Sequence, residues 1–174
     1  SALRFVWVET YIFRVDESGE RVAVALEAAA HRGLDVRLLV DGIGTPELPA
    51  PWVRRWNQAG AQVVVFSPVS GTGRLLPRNW RRLHRKLALI DGDTGFCGGI
   101  NVVDDHWDDH LGAMERPRLD FSVRVRGPLL QDMAETMRQQ WWRAQLARDV
   151  RERDLAGGIP RDEASRRAEH CLKQ

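Results

Sequence analysis

The sequence predicts an α/β domain, a mainly parallel mixed sheet flanked by helices with a β-hairpin attached, and three observations carry that expectation. Short Val-rich runs alternate with segments of helical period through the first 66 residues. Glycine- and proline-bearing segments separate them. Beyond residue 82 the rhythm changes to two adjacent strand-like runs around Asp91-Gly92-Asp93-Thr94-Gly95.

In chain order, residues 4–9 alternate and are rich in Val and aromatics, so they read as a strand. Residues 18–31 carry Ala, Val and Leu at helical spacing and stop at Gly33. Residues 35–40 form a second apolar strand, 51–59 a short helix closed by Gly60, and 61–66 a third strand. Residues 67–80, with Pro68, Gly71, Gly73 and Pro77, have loop chemistry throughout. Residues 83–90 and 96–99 are the arms of the hairpin, and residues 119–126 alternate as a further strand. A long amphipathic helix is expected from Pro128 to about Ala147, with the proline near its first turn. Residues 1–148 thus make one domain, and the polar residues 149–174 a frayed helix, linker or tail.

Composition bounds what such a domain does. The chain has 174 residues, 43% hydrophobic and 29% charged, which suits one folded core and excludes a disordered or fibrous chain. Its longest apolar runs, such as Val63-Val64-Val65-Phe66, fall far short of the roughly 20 residues that cross a bilayer. It opens on Ser1 rather than Met, which reads as processing or a boundary. Cys97 and Cys171 have neither disulfide nor metal spacing. The net charge is only +2, yet Arg74, Arg78, Arg81, Arg82, Arg85 and Lys86 follow one another without an acid. That stretch is either a cationic patch for phosphate, nucleic acid or lipid headgroups, or a solvated loop. The chain has 26 basic residues of which only Lys86 and Lys173 are lysine, so an ammonium point charge at 86 stands out.

The chemistry gathers on the hairpin. His84-Arg85-Lys86-Leu87-Ala88-Leu89-Ile90-Asp91 is followed by Gly98-Gly99-Ile100-Asn101, a spacing of H-x-K-x4-D-x6-G-G-x-N. On an extended chain His84 and Lys86 leave one side while Leu83, Leu87 and Leu89 leave the other. Gly98 and Gly99 let the backbone approach a ligand and carry Asn101 to the same end. A neutral imidazole can attack a phosphodiester phosphorus without a metal, and an ammonium with an amide can stabilise the non-bridging oxygens. Asp91 reads either as support for this motif or as the turn residue that opens the hairpin loop.

This motif resembles the signature of the phospholipase D superfamily, H-x-K-x4-D-x6-G-S-x-N. The resemblance extends to Val6-Trp7-Val8-Glu9-Thr10-Tyr11-Ile12-Phe13 and Val36-Arg37-Leu38-Leu39-Val40-Asp41-Gly42, which look like the amino-terminal half of bacterial cardiolipin synthases. It implies phosphatidyl transfer through a phosphohistidine intermediate, with no cofactor and no metal, in phospholipid biosynthesis at the cytoplasmic face of a bacterial membrane. His84 is then the nucleophile or its acid/base partner, and Lys86, Asn101 and Gly99 lie against the substrate phosphate. Asp91 supports the motif, and Asp120 matches the later acid that hydrogen-bonds the catalytic imidazole. Gly99 stands where the family commonly has Ser, which removes one hydroxyl donor and leans away from nuclease-type members.

Each active site in that family needs two such motifs, and no other His here has Lys two positions later. The partner is therefore a second half-domain of a longer protein or a second copy of this chain, acting on a phosphatidylglycerol-like lipid with peripheral membrane contact. The family's further strand and helix before residue 4 are missing, which favours a fragment. A homodimeric phospholipase or nuclease-like phosphodiesterase is the alternative, and a catalytically silent phosphate-binding module another.

Weaker candidates remain. Asp104-Asp105-His106-Trp107-Asp108-Asp109-His110 places two imidazoles at helical i, i+4 spacing among carboxylates, suited to a divalent ion or to a solvated acidic loop. Trp52 and Trp56, with Trp80, suit core packing better than a lipid interface. Trp141 and Trp142 are expected inside or against the missing half. Glu9, Tyr11 and Asp41 lie at strand ends, where α/β sites gather, and carry no assigned role.

Overall fold

The computed structural model describes residues 2–68, 82–108 and 111–155, with residues 154 and 155 described by backbone only. Strands β1 (Phe5–Thr10), β2 (Asp35–Asp41) and β3 (Gln62–Phe66) alternate with helices α1 (Glu17–His31) and α2 (Ala50–Ala59). Strands β4 (Leu87–Ile90) and β5 (Thr94–Gly98) form the hairpin. Two short strands, β6 (Trp107–Asp108) and β7 (Gly112–Ala113), pair with each other, and β8 (Ser122–Val125) leads into helix α3 (Leu129–Leu155).

The main sheet has the order β3-β2-β1-β4-β5-β8. Its first half is parallel, with Val8 opposite Leu38 and Leu38 opposite Val63. From β1 onward it is antiparallel, Glu9 facing Leu87 and Leu87 facing Cys97. Because side chains alternate across a sheet, β2 feeds two cores. Val36, Leu38 and Val40 pack under α1 and α2 with Phe13, Trp52 and Trp56, whereas Leu39 joins Leu83, Val64, Trp141 and Ala144 beneath α3.

Local chemistry explains the helix ends. Asp16 accepts from Gly19 N at 2.8 Å and so caps α1, with Glu17 and Glu20 in its first turn. Pro51 sits in the first turn of α2, and Gly60 ends it in the left-handed conformation at φ 93°. Trp56 is 1% exposed and its indole donates to Ala23 O at 3.0 Å, so the tryptophan pair is core.

Three differences from the sequence reading have local causes. The β4 ladder starts at Leu87 rather than 83, since its pairing with β1 ends at Glu9 opposite Leu87. Helix α3 runs 27 residues to Leu155, where the i, i+4 ion pair of Arg148 with Glu152 supports it in place of an apolar stripe. The acidic segment around His106 is a two-stranded hairpin, not a helix, so the i, i+4 argument for a metal fails there. Asp109 and His110 lie outside the described residues, as do Trp80, Cys171 and Lys173. Trp141 is buried, but Trp142 is 61% exposed.

Candidate active site

His84, Lys86 and Asn101 converge at the carboxyl end of β1, beside the hairpin. His84 and Lys86 lie just before β4, in extended chain joined to β5 by Gly98 N donating to Lys86 O at 3.3 Å. Lys86 Nζ sits 3.3 Å from His84 Nδ1 and donates to His84 O at 3.0 Å. The two therefore share a side, as expected. The Tyr11 ring lies 4.8 Å from the imidazole, and Lys86 Nζ stands 5.4 Å from the Tyr11 centroid. Tyr11 thus belongs to the site, packing the imidazole and facing the ammonium.

Asn101 arrives from the other arm. The chain after β5 crosses to α1, with Val102 N donating to Ile12 O at 3.1 Å and Asp104 N to Asp16 Oδ2 at 2.8 Å. This crossing sets the Asn101 carbonyl oxygen against Ile12 N at 3.1 Å and Thr10 Oγ1 at 3.4 Å. With its acceptor engaged, the side chain offers its amide nitrogen as a donor. An imidazole, an ammonium and an amide donor at one strand end suit an anion.

Gly99 and Asp120 are in contact. A Cβ at Gly99 would fall 2.0 Å from Asp120 Oδ1, so the carboxylate occupies the space a side chain at 99 needs. Asp120 Oδ1 also accepts from Phe121 N at 2.9 Å. Among the described residues the hydrogen-bond partner of the His84 ring is Lys86, not Asp120. Desolvation holds the Lys86 pKa below the usual lysine range, and the Asp120 charge opposes that shift.

Asp91 stands apart, at the other end of β4 and roughly 17 Å along the strand from Lys86. Its carboxylate accepts from Leu3 N at 2.8 Å, Arg4 N at 2.7 Å and Phe5 N at 3.0 Å. The Arg4 guanidinium donates to its carbonyl oxygen. It holds φ +56° at the turn. The Phe5 amide foremost, then those of Leu3 and Arg4, keep its pKa below the usual carboxylate range. Asp91 fastens the start of β1 to the hairpin turn and does not enter the site.

Two buried acids hold the motif segment from below. Asp41 accepts from Leu83 N at 2.8 Å and contacts Arg82 at 3.5 Å. Glu9 pairs with Arg85 at 2.8 Å, and burial pushes its pKa up to about 7 against the opposing charge of Arg85. Arg82 and Arg85 are thus turned onto internal carboxylates, which removes them from the cationic patch the sequence suggested; Arg74, Arg78 and Arg81 lie outside the described residues. Sequence reasoning noted Glu9, Tyr11 and Asp41 at strand ends without giving them a part. The available signal for Glu9 was the alternation of Arg85 with His84 and Lys86.

Fold and site together define a phospholipase D-like domain. The chain belongs to the family described as "Cardiolipin synthase, PLD-like domain", whose model matches residues 1–115. It is 30% identical to cardiolipin synthase B of Escherichia coli K12 over 145 residues, 78% of this chain and 34% of that protein. It is 32% identical to cardiolipin synthase 1 of Bacillus anthracis over 142 residues, 80% of this chain and 27% of that protein. The chain therefore spans about a third of the length of these relatives. In fold it is similar to Nuc, a phospholipase D family member from Salmonella typhimurium, with TM-score 0.56 and 20% identity over 81% of this chain and 80% of that one. NucT from Helicobacter pylori gives TM-score 0.56 at 15% identity, covering 82% of this chain and 81% of that one.

Proposed function

We propose that this chain is the motif-bearing half of a phosphatidyltransferase that makes cardiolipin from two phosphatidylglycerol-like molecules. The observation that carries this reading is the meeting of His84, Lys86 and Asn101 at one strand end in a chain of the cardiolipin synthase family.

One motif imidazole attacks the phosphodiester phosphorus. A P–N bond forms, the P–O bond to the headgroup glycerol breaks, and the imidazole of the second motif protonates the leaving alkoxide. A headgroup hydroxyl of the second lipid then attacks, gives its proton to that imidazole, and the P–N bond breaks. Lys86 and the Asn101 amide donate to the non-bridging oxygens, where charge grows. The reaction draws on side chains, without a cofactor or metal.

The free site supports a particular order of events. An ammonium only donates, so Nδ1 of His84 is the acceptor from Lys86 and the ring proton of the neutral imidazole lies on Nε2. In that tautomer Nε2 has no free lone pair, so this ring attacks only after the proton has moved to Nδ1. An incoming phosphate competes for Lys86 and releases Nδ1. Asp120, exposed and not bonded to its own His84, orients the imidazole of the second half, while Asp91 supports the motif through the hairpin turn. Gly99 leaves Asp120 its place beside the phosphate.

The second half is the rest of a longer protein or another copy of this chain. Contact with the membrane is peripheral, at the cytoplasmic face of a bacterial membrane; no described helix is long and apolar enough to cross one. A homodimeric phosphodiesterase is the second reading, since this chain carries a single H-x-K motif. The full gene product should convert phosphatidylglycerol vesicles to cardiolipin with glycerol released. Cleavage of a single-stranded DNA oligonucleotide without lipid turnover would establish the second reading, and phosphate binding with neither activity would leave a silent module.

A further inference from the structure

The residue between His84 and Lys86 points the other way, onto a buried acid. The β1–β4 ladder ends at Glu9 opposite Leu87, so residues 82–86 have no strand partner in β1. Apart from the Gly98 N–H on Lys86 O, what holds them is lateral: Leu83 buried under α3, its N–H on Asp41, Arg82 beside Asp41, and Arg85 on Glu9. Of these holds, the Arg85–Glu9 pair is the one placed between the two motif side chains. We propose that Glu9 is a positioning residue that acts through Arg85 to fix the direction in which His84 and Lys86 face the phosphate. The inference deepens the phosphoryl-transfer reading of this site and rests on it for the ligand alone.

The geometry makes this pair a directional constraint. Alternation along extended chain means that anchoring residue 85 on one side forces 84 and 86 to the other. The Arg85 guanidinium lies 2.8 Å from Glu9 Oε2 and donates to Oε1 at 3.2 Å. Glu9 is 2% exposed, in a strand whose backbone is fully paired at that point, so it is a fixed post rather than a mobile surface acid. Oε2 makes no aligned hydrogen bond, which leaves one oxygen of a buried carboxylate held by charge alone.

Among the described residues, the surroundings of Glu9 give Arg85 no rival. The small apolar space beside it is lined by Trp7, Arg37, Leu39, Met137 and Trp141. From β2 the charged group is Arg37, which pairs with Asp35 at 2.9 Å and lies over the Trp7 and Trp141 rings. Helix α3 contributes the uncharged Met137 and Trp141. Arg85 comes from the chain before β4, and on the neighbouring strand end Asp41 is engaged with Arg82. Because burial raises the Glu9 pKa to about 7, the ionic clamp is complete above neutrality and reduced to a neutral hydrogen bond below it.

Backbone amide NMR of the full chain between pH 5 and 9 tests the clamp, with His84→Gln as background so that the imidazole does not titrate. The Arg85 and Lys86 amides should move with a midpoint near 7, and adding Glu9→Gln should abolish that titration while the Trp56 indole signal stays in place. Arg85→Met should raise the midpoint by about one pH unit or more, since the cation that lowers it is gone. A titration near 7 that persists in Glu9→Gln, or none in the parent, overturns the proposal.

Inorganic vanadate, a phosphate mimic, separates the clamp from the ligand reading. With His84 intact, Glu9→Gln should weaken vanadate binding about tenfold at pH 8, with Glu9→Asp recovering part of the loss. Unchanged affinity in Glu9→Gln overturns the positioning role. If the parent protein binds no vanadate, the phosphate reading falls and the amide titration alone decides the clamp.

Discussion

The carboxylate of Asp120 fills the space that a side chain at position 99 would take, with Oδ1 2.0 Å from where a Gly99 Cβ would stand. Gly99→Ser therefore has to displace Asp120 and break its bond to Phe121 N. Asp120 is at the surface and free to swing, so thermal stability should change by less than about 1 kcal/mol. Phosphoryl transfer should fall at least tenfold, and Gly99→Ser combined with Asp120→Ala should be less than additive. Additive losses in the double-mutant cycle would show that the two positions act separately.

Asp91 should matter for folding and not for phosphate binding. Asp91→Asn weakens three N–H bonds to a carboxylate and should cost about 1–3 kcal/mol. Its folded pKa is depressed, so the stability it contributes is complete above the unfolded carboxylate value near 4 and is lost as pH falls through the lower folded value. Denaturation curves should show a constant gap between wild type and variant from pH 5 to 8, narrowing below about pH 4. Vanadate affinity should be unchanged; a tenfold loss would place Asp91 in the site.

Glu9 has the opposite sign. Its folded pKa is raised, so the folded protein holds a proton that the unfolded chain has lost between about pH 4.5 and 7, and stability falls as pH rises through that window. A shift of this size corresponds to something on the order of 3 kcal/mol. Glu9→Gln should lose stability less steeply than wild type between pH 4 and 8. Parallel pH–stability curves would contradict the burial argument. The ionised carboxylate thus costs stability where it supplies the clamp, which is expected of a group kept for position.

Asp41 is the second anchor. It is fully buried and accepts from Leu83, Ile43 and Gly44 N–H groups. Asp41→Ala strands three donors beneath the motif and should destabilise by roughly 3–5 kcal/mol. Asp41→Asn, which keeps an acceptor, should lose less than half of that. Chemical denaturation of the two variants checks the ranking, and equal losses would mean that the acceptor geometry is irrelevant.

Much of this was legible in the sequence because period and punctuation agree. Val-rich runs alternating with helices closed by Gly33 and Gly60 gave the parallel half, and the H-x-K and G-G-x-N spacing gave the meeting of His84, Lys86 and Asn101. What sequence could not show was where residues separated by 30 to 90 positions touch. Glu9 reaches Arg85, Asp41 reaches Leu83, and Asp91 reaches Leu3 only because β1 lies between β2 and β4. Charge misled in the same way: an acid-free run of cations reads as a surface patch until the buried carboxylates of neighbouring strands draw Arg82 and Arg85 inward. The helix that a metal-binding pair at 106 and 110 would have needed does not form, because local hydrogen bonds, such as His106 N to Asp104 Oδ1 at 2.7 Å, favour a turn over spacing.

The central claim is that His84, Lys86 and Asn101 hold one phosphoryl group together. It is tested most directly by titrating the protein with vanadate while following the His84 ring, the Lys86 ammonium and the Asn101 side-chain amide by NMR. All three signals should move along one saturation curve, and Lys86→Ala should abolish it. Vanadate binding that leaves the Asn101 amide unmoved, or that survives Lys86→Ala unchanged, would contradict it.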